Sequence, residues 1–584
     1  MIDQNPVPGK NFFLILILVI GIALRFHNLD TYSIFFDEKS TMLVSQGIVL
    51  EGANQKEVFS KATFTPTEFW SPKTFADYCE AMTRSDIGNS PFYYLLIHLW
   101  MDTFGYSDYS ARALSAVFSV LIIGLSFIFT RRFFGTRTAL IAAFIVAIEP
   151  FFIAYSHQAR NYSLTFFLTL LSTYYFLQIM ENENNRKNNL KLYVGYSIVS
   201  GLCLLSHFLT ISVFLAHGLY AVLFLRNLNG WKRMILAGIT ASLGLVWWMT
   251  LGGGQWTMRS LAYQANLYRE LAHSNPDNNP YAHILPATIP NVAMKSFPIF
   301  TDIYFLTNGL ADTIGGKIQY LISILTGIAL IVIYYWSRKN AVLQKYSLAI
   351  PTILLLASAL FYKVNHAQLL IFSAGIFSIA LIVEMHREAN AGQKRLLWLL
   401  YIAGLVPTLF LILMSFKNGH TYGLTQRYSG FSFPYIIILV ALVIQRIMKM
   451  EAGYKVPLVI LFIIQTGYVA SRLQGIYADR SLKYTYFIEP RQPNPYYQAA
   501  EKINELYQTG DTIFYPAPPM VFHTEMDRTF LPYSVQDAQL TNLYLPKDAV
   551  YVQAMDTTET DKIILKQKMT GDRLELINLS GRRQ

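Results

Sequence analysis

Apolar runs of span length recur from Phe12 to about residue 471, and clusters of Lys and Arg separate them. A chain built this way can satisfy its backbone polar groups in hydrocarbon only as membrane-crossing helices, because lipid offers no hydrogen-bond partners. With 53% hydrophobic and 14% charged residues among 584, the apolar material far exceeds what a soluble core needs. The chain is therefore read as an integral membrane protein. Its formal charge of +11 does not point to nucleic acid, since the basic residues sit between apolar runs and not along one polar face.

Those basic clusters carry the topology. Six short connections each hold three Lys or Arg: Arg131/Arg132/Arg137, Arg186/Lys187/Lys191, Arg226/Lys232/Arg233, Arg338/Lys339/Lys345, Arg387/Lys394/Arg395 and Arg446/Lys449/Lys455. Positive connections face the cytoplasm. The run Phe12–Leu24 has no small-residue cleavage site after it and reads as an uncleaved first span. With further spans near 110–130, 138–156, 160–180, 190–206, 209–226, 233–250, 317–336, 346–361, 366–385, 396–414, 430–447 and 455–471, the count is thirteen. Pro91–Phe104 is apolar but only 14 residues long, and a crossing there would put Arg131 and Arg132 outside. It is expected to lie in the outer interface. The N-terminus then lies inside and the C-terminus outside, with long outer loops at 27–109 and 251–316.

Beyond about residue 476 the apolar runs stop. Residues 1–475 read as one membrane-embedded domain and 476–584 as a small extracytoplasmic α/β domain. In the latter, Asn494-Pro495 starts a helix reaching Gln508, and strands are expected at Thr512–Tyr515, Ala549–Val552 and Leu574–Leu579. The fold class is thus an all-α polytopic membrane protein with an α/β appendage. Cys79 and Cys203 fall in a loop and a span, which implies no disulfide framework. No repeat and no phosphate-binding Gly-rich loop is present.

The polar residues that demand explanation are those expected at the outer ends of spans. Asp37 and Glu38 follow the first span, and a carboxylate there either caps the helix that begins at Lys39 or acts as a general base on a lipid-borne substrate. His157 and Arg160 occupy a short outer turn after the third span, and Arg427-Tyr428 precedes the twelfth. Arginine either snorkels to headgroups or forks onto a phosphate. His207 sits at another outer turn, where a lone histidine is more often a structural hydrogen bonder. Aromatics of the second outer loop, Trp256, Tyr263, Tyr268 and Tyr281 among them, suit an interfacial belt.

In order and spacing, several short motifs resemble the GT-C superfamily of polyprenyl-phosphate-dependent glycosyltransferases, specifically glycosyltransferase family 39, with its protein O-mannosyltransferases and lipid A aminoarabinose transferases. They are Phe36-Asp37-Glu38, the Ser90–Trp100 stretch with Phe104-Gly105, Ala111–Ala116, Arg131–Gly135, Tyr155–Arg160 and Arg427-Tyr428. The resemblance covers roughly residues 11–226 and 425–445. It implies a polyprenyl-phosphate sugar as donor and a glycolipid, glycan or protein as acceptor, in a bacterial inner membrane. It implies Asp37 as general base for an inverting displacement, with Glu38 beside it. Arg160, Arg427, His157, Arg112 and Tyr428 would hold the donor phosphate, and Asn89, Tyr93 and His207 would contact substrate. Relatives with His-Pro-Pro before the interfacial helix differ from Gly88-Asn89-Ser90-Pro91 here, and where some carry an acid after the third span this chain has Asn161. No metal is assigned, and a divalent ion is left open. The rival reading from another class is a lipid or polysaccharide transporter, or a glycolipid-binding protein without activity.

The topology has a direct test. In a background lacking Cys79 and Cys203, cysteines placed beside Asn89 and beside Gly105 are both expected to react with an impermeant thiol reagent from outside. Protection of the second would mean that 91–104 crosses the membrane.

Overall fold

A computed structural model describes residues 9–84, 91–184, 189–274, 284–313, 316–340, 346, 349–359, 366–485, 489–520 and 531–583. Each expected span coincides with a helix or part of one, from Lys10–Phe26 through Asp108–Phe134 to Ala452–Tyr477. Among the described residues eight helices are long and apolar enough to cross a membrane, and a bent pair makes a ninth. The count of thirteen is not established by these helices, because Lys10–Phe26, Leu190–Leu204 and Ile211–Phe224 are 17, 15 and 14 residues long and Ala349–Ala359 only 11.

The expected span 138–156 is not straight. Thr136–Ile148 and Pro150–Ser156 meet at a bend of 52°. Proline lacks an N–H, so Val146, four residues before Pro150, loses its helical donor. The buried Arg25 of the first helix repairs the gap, donating from Nη2 to the Val146 carbonyl (2.9 Å), from Nη1 to Ala147 (2.8 Å) and from Nε to Ser119 Oγ (2.7 Å). One guanidinium thus joins three helices at the break, where lipid would leave the carbonyls unpaired.

Pro91–Phe104 forms the expected short helix. Tyr93, Tyr94, Ile97 and Met101 are buried, and Leu95 and Leu99 are exposed on the opposite side. A helix apolar on both faces suits a position half in protein and half in the membrane interface.

At the C-terminal end, the Asn494 side chain caps Pro495–Leu506, two residues shorter than expected. Four strands follow: β1 (Thr512–Pro516), β2 (Val552–Asp556), β3 (Lys562–Lys566) and β4 (Arg573–Asn578), in spatial order β2-β1-β3-β4. β1 pairs with β2 in parallel and the other pairings are antiparallel. The strand expected at Ala549–Val552 begins only at Val552, and β3 was not expected. Its three middle residues are all buried in an inner strand, so Lys-Ile-Ile-Leu-Lys shows none of the alternation that marks a half-exposed strand.

This sheet does not stand apart from the membrane domain. Phe64 of the first outer loop exchanges two backbone hydrogen bonds with Gln553 on the edge strand β2 (2.9 and 2.8 Å). Gln539 Nε2 donates to Val49 O (3.0 Å) and to Gln55 Oε1 (2.9 Å), and Trp70 Nε1 donates to Asn542 O (3.1 Å). One apolar core contains Ile34, Leu43, Phe59, Phe64 and Phe69 together with Tyr496, Ile513, Leu540 and Leu565. Replacing the buried Phe64 by Ala is expected to cost about 3–5 kcal/mol. Limited proteolysis of that variant should release residues 36–84 and the C-terminal sheet together; independent cleavage of the two would contradict the shared core.

Candidate active site at the loop after the first helix

The acidic pair divides into two unlike groups. Phe35 begins the Phe36–Ser45 helix, and its N–H donates to Glu38 Oε2 (3.2 Å), the return bond of a capping box. Glu38 is fully buried. Arg112, on the Asp108–Phe134 helix, forks onto it from Nε and Nη2 at 2.8 Å each, and the Ala159 N–H adds a bond at 2.8 Å. Burial alone would raise the Glu38 carboxyl; the Arg112 guanidinium, then Arg491 and the Ala159 N–H, outweigh it and hold the group below the ordinary carboxylate range. The rest of Arg112 is committed to the backbone, with Nη1 donating to Leu29 O (2.9 Å) and Tyr32 O (2.8 Å) and Nη2 to Ser33 O (3.0 Å).

Asp37 faces elsewhere. It is half-buried, and among the described residues its carboxylate has neither a hydrogen-bond partner nor an ion pair. Its backbone carbonyl accepts from Arg160 Nη1 (3.1 Å), which also donates to Thr41 Oγ1 (3.0 Å). Arg160 therefore lies along the same helix turn that carries the acid.

His207 connects this group to the second expected arginine. Its Nδ1 accepts from the Leu209 N–H (3.1 Å), and its ring stands 6.1 Å from Tyr162, 6.0 Å from Tyr428 and 6.4 Å from Phe431. Arg427 packs its guanidinium on Tyr428, 4.7 Å from the ring centre. Burial, reinforced by Arg160 and Arg427, pushes the His207 pKa down to about 3. The contacts of the His207 ring with Tyr162 and Tyr428 show that the turns at 160, 207 and 427 converge. Tyr93 joins the same wall, with its hydroxyl 3.5 Å from Ser115 Oγ, which donates to the Arg160 carbonyl (3.0 Å).

His157 does not share this space. It lines a small cavity behind the Glu38–Arg112 pair with Asn28, Tyr32, Tyr477 and Arg491, and burial beside Arg112 pushes its pKa down to about 4. Asn161 donates to the Ser206 carbonyl (2.5 Å), which ties the 157–161 turn to that of His207. Asn89 lies outside the described residues. Among those described, no group of three or more His, Cys, Asp or Glu could hold a metal ion.

Sequence reasoning missed Arg491, Thr41 and Ser33. Arg491 lies far along the chain in no motif, and nothing in its neighbours marks it as a partner of residue 38.

Comparison with known proteins adds one family. Residues 88–250 match a family model. It is described as dolichyl-phosphate-mannose-protein mannosyltransferase and spans less than a third of the chain, including Tyr93, Arg112, Arg160 and His207. The match bears out the resemblance to GT-C transferases that the short motifs carry. No curated protein matches. Among solved structures, ArnT from Cupriavidus metallidurans in the apo state aligns over 92% of this chain and 85% of its own, at 13% identity and a TM-score of 0.38. The oligosaccharyltransferase AglB from Archaeoglobus fulgidus aligns over 86% of this chain and 58% of its own, at 15% identity and a TM-score of 0.42.

The two histidines set an expectation for stability. Unfolded, each titrates near 6.5; folded, His157 and His207 stay neutral down to about 4 and 3. Above pH 6.5 neither state binds the proton and stability is complete. Below it only the unfolded chain does, so stability falls with pH, by up to about 2 kcal/mol per histidine at pH 5. The unfolding midpoint should drop between pH 7 and 5, and His207→Gln should flatten the drop. Parallel slopes in wild type and variant would contradict this.

Proposed function

We propose that the protein is a GT-C glycosyltransferase that moves a sugar from a polyprenyl-phosphate donor to a hydroxyl-bearing acceptor at the outer face of the membrane, with Asp37 as general base. The observation that carries this reading is the contrast within the acidic pair. Glu38 is buried and fully paired, whereas among the described residues the neighbouring Asp37 carboxylate has no partner, and Arg160 donates to the Asp37 backbone carbonyl. The family description of residues 88–250 names a dolichyl-phosphate sugar, and the motif resemblance extends that donor class to other polyprenyl phosphates.

The chemistry is a single displacement. Asp37 takes the proton of the acceptor hydroxyl, and the oxygen attacks the anomeric carbon from the face opposite the phosphate. The C–O bond to phosphate breaks, its electron pair leaves with the polyprenyl phosphate, and the configuration inverts. A phosphate monoester dianion needs little protonation to leave, so the main requirement is positive charge around its oxygens. Arg160 and Arg427 supply permanent charge with fork geometry, and neutral His207 and Tyr428 supply further polar contacts. Tyr93 shapes the wall between them. Glu38 and Arg112 act as the frame that sets Asp37, and His157 belongs to that frame.

Replacing Asp37 by Asn keeps size and removes the base. Transfer from a polyprenyl-phosphate sugar is expected to fall by about 10²–10⁴-fold with donor binding unchanged. Full transfer by the variant, or lipid transport that survives it, would overturn the assignment.

A further inference from the structure

We propose that Arg491, contributed by the segment between the last membrane helix and the C-terminal domain, is a positioning residue that sets the loop carrying Asp37; this inference rests on the transferase reading above. Its contacts cover the residues on either side of the acid. Arg491 Nη1 donates to the Ser33 carbonyl (2.8 Å) and lies 3.7 Å from Glu38 Oε2, and the guanidinium carbon stands 5.8 Å from the centre of the Phe35 ring. The next residue reinforces the attachment, because the Ser33 N–H donates to the Gln492 carbonyl (3.0 Å). Residues 33, 35 and 38 thus all meet one two-residue segment from the far end of the chain.

The arginine is itself held in place. Asp479, just past the Ala452–Tyr477 helix, has φ of 52°, a left-handed conformation that Asp adopts more readily than most non-glycine residues. Its carboxylate accepts three hydrogen bonds from Arg491: the backbone N–H (2.8 Å) and Nε (2.9 Å) on Oδ2, and Nη2 (2.9 Å) on Oδ1. The side chain spans from this anchor to the acid-bearing loop, bound to Asp479 at one end and 3.7 Å from Glu38 Oε2 at the other. Arg491 also lines the small cavity that contains His157, and the contacts that place it are all with protein groups.

A staple that only attached the C-terminal domain could sit anywhere on the shared core, and the Phe64–Gln553 and Gln539–Val49 bonds already serve that purpose. Arg491 instead closes on the turn immediately before Asp37, where a displacement of about 1 Å costs on the order of 100-fold in rate.

The test uses the full-length protein in detergent with a polyprenyl-phosphate sugar that the wild type accepts. Arg491→Ala should lower kcat about 10- to 100-fold with donor KM within about threefold of wild type. Amide hydrogen exchange should quicken over residues 33–41 and stay unchanged in β1 to β4. A kcat within about threefold of wild type, or a loss accompanied by faster exchange throughout the C-terminal sheet, would overturn the proposal. Where the alanine variant fails to accumulate, Arg491→Lys, which keeps the charge and loses the fork, is judged by the same two readouts. Absence of transfer by the wild type would sink the transferase reading alone, since the exchange measurement still reports whether Arg491 holds the loop.

Discussion

The buried ion pair between Glu38 and Arg112 is the interaction on which the arrangement of the 27–109 loop depends. A carboxylate removed from water needs a complete set of donors, and here they come from distant parts of the chain: Arg112 on the second long helix, Ala159 on a later turn and Phe35 on its own helix start. The same guanidinium gathers the carbonyls of Leu29, Tyr32 and Ser33, so the loop leaving the first helix has one way to run. Breaking such a pair from one side strands a charge and costs about 3–5 kcal/mol. A pair of this kind adds little net stability by itself; its effect is to reject every arrangement of the loop that leaves a charge unmet.

That constraint separates the roles of adjacent residues. Consecutive helix positions point about 100° apart, so fixing Glu38 inward turns the Asp37 side chain away from that ion pair, while Arg160 meets the Asp37 backbone carbonyl. The arginines divide in the same manner. Arg112 is absorbed by structure, while burial, reinforced by Arg160 and Arg427, keeps His207 neutral. The positive charge of the site is thereby concentrated on permanent cations, which do not titrate near neutral pH.

The C-terminal domain takes part in the same frame. Its edge strand is covered by Phe64, its core is continuous with the first outer loop, and its leading segment places Arg491 against Ser33 and Phe35. The change in composition near residue 476 marks where the apolar runs stop and not where a packing unit ends.

Hydrophobic runs determined the helices, since a backbone in hydrocarbon has no alternative to internal hydrogen bonding, and the basic clusters carry an orientation without any knowledge of contacts. Short motifs were enough to single out Asp37, Glu38, Arg112, Arg160, His207 and Arg427, because charged groups at the ends of apolar helices stand out against their surroundings. Only tertiary structure decided which acid is buried, that Arg112 serves Glu38, that His157 turns away from Arg160, and that Arg491 reaches residue 33 from 458 positions away. Pro150 was visible, but the repair of its break by Arg25 was not. Local sequence sets what each residue can offer; the pairing of buried charges depends on which segments the fold brings together, and no spacing along the chain records that.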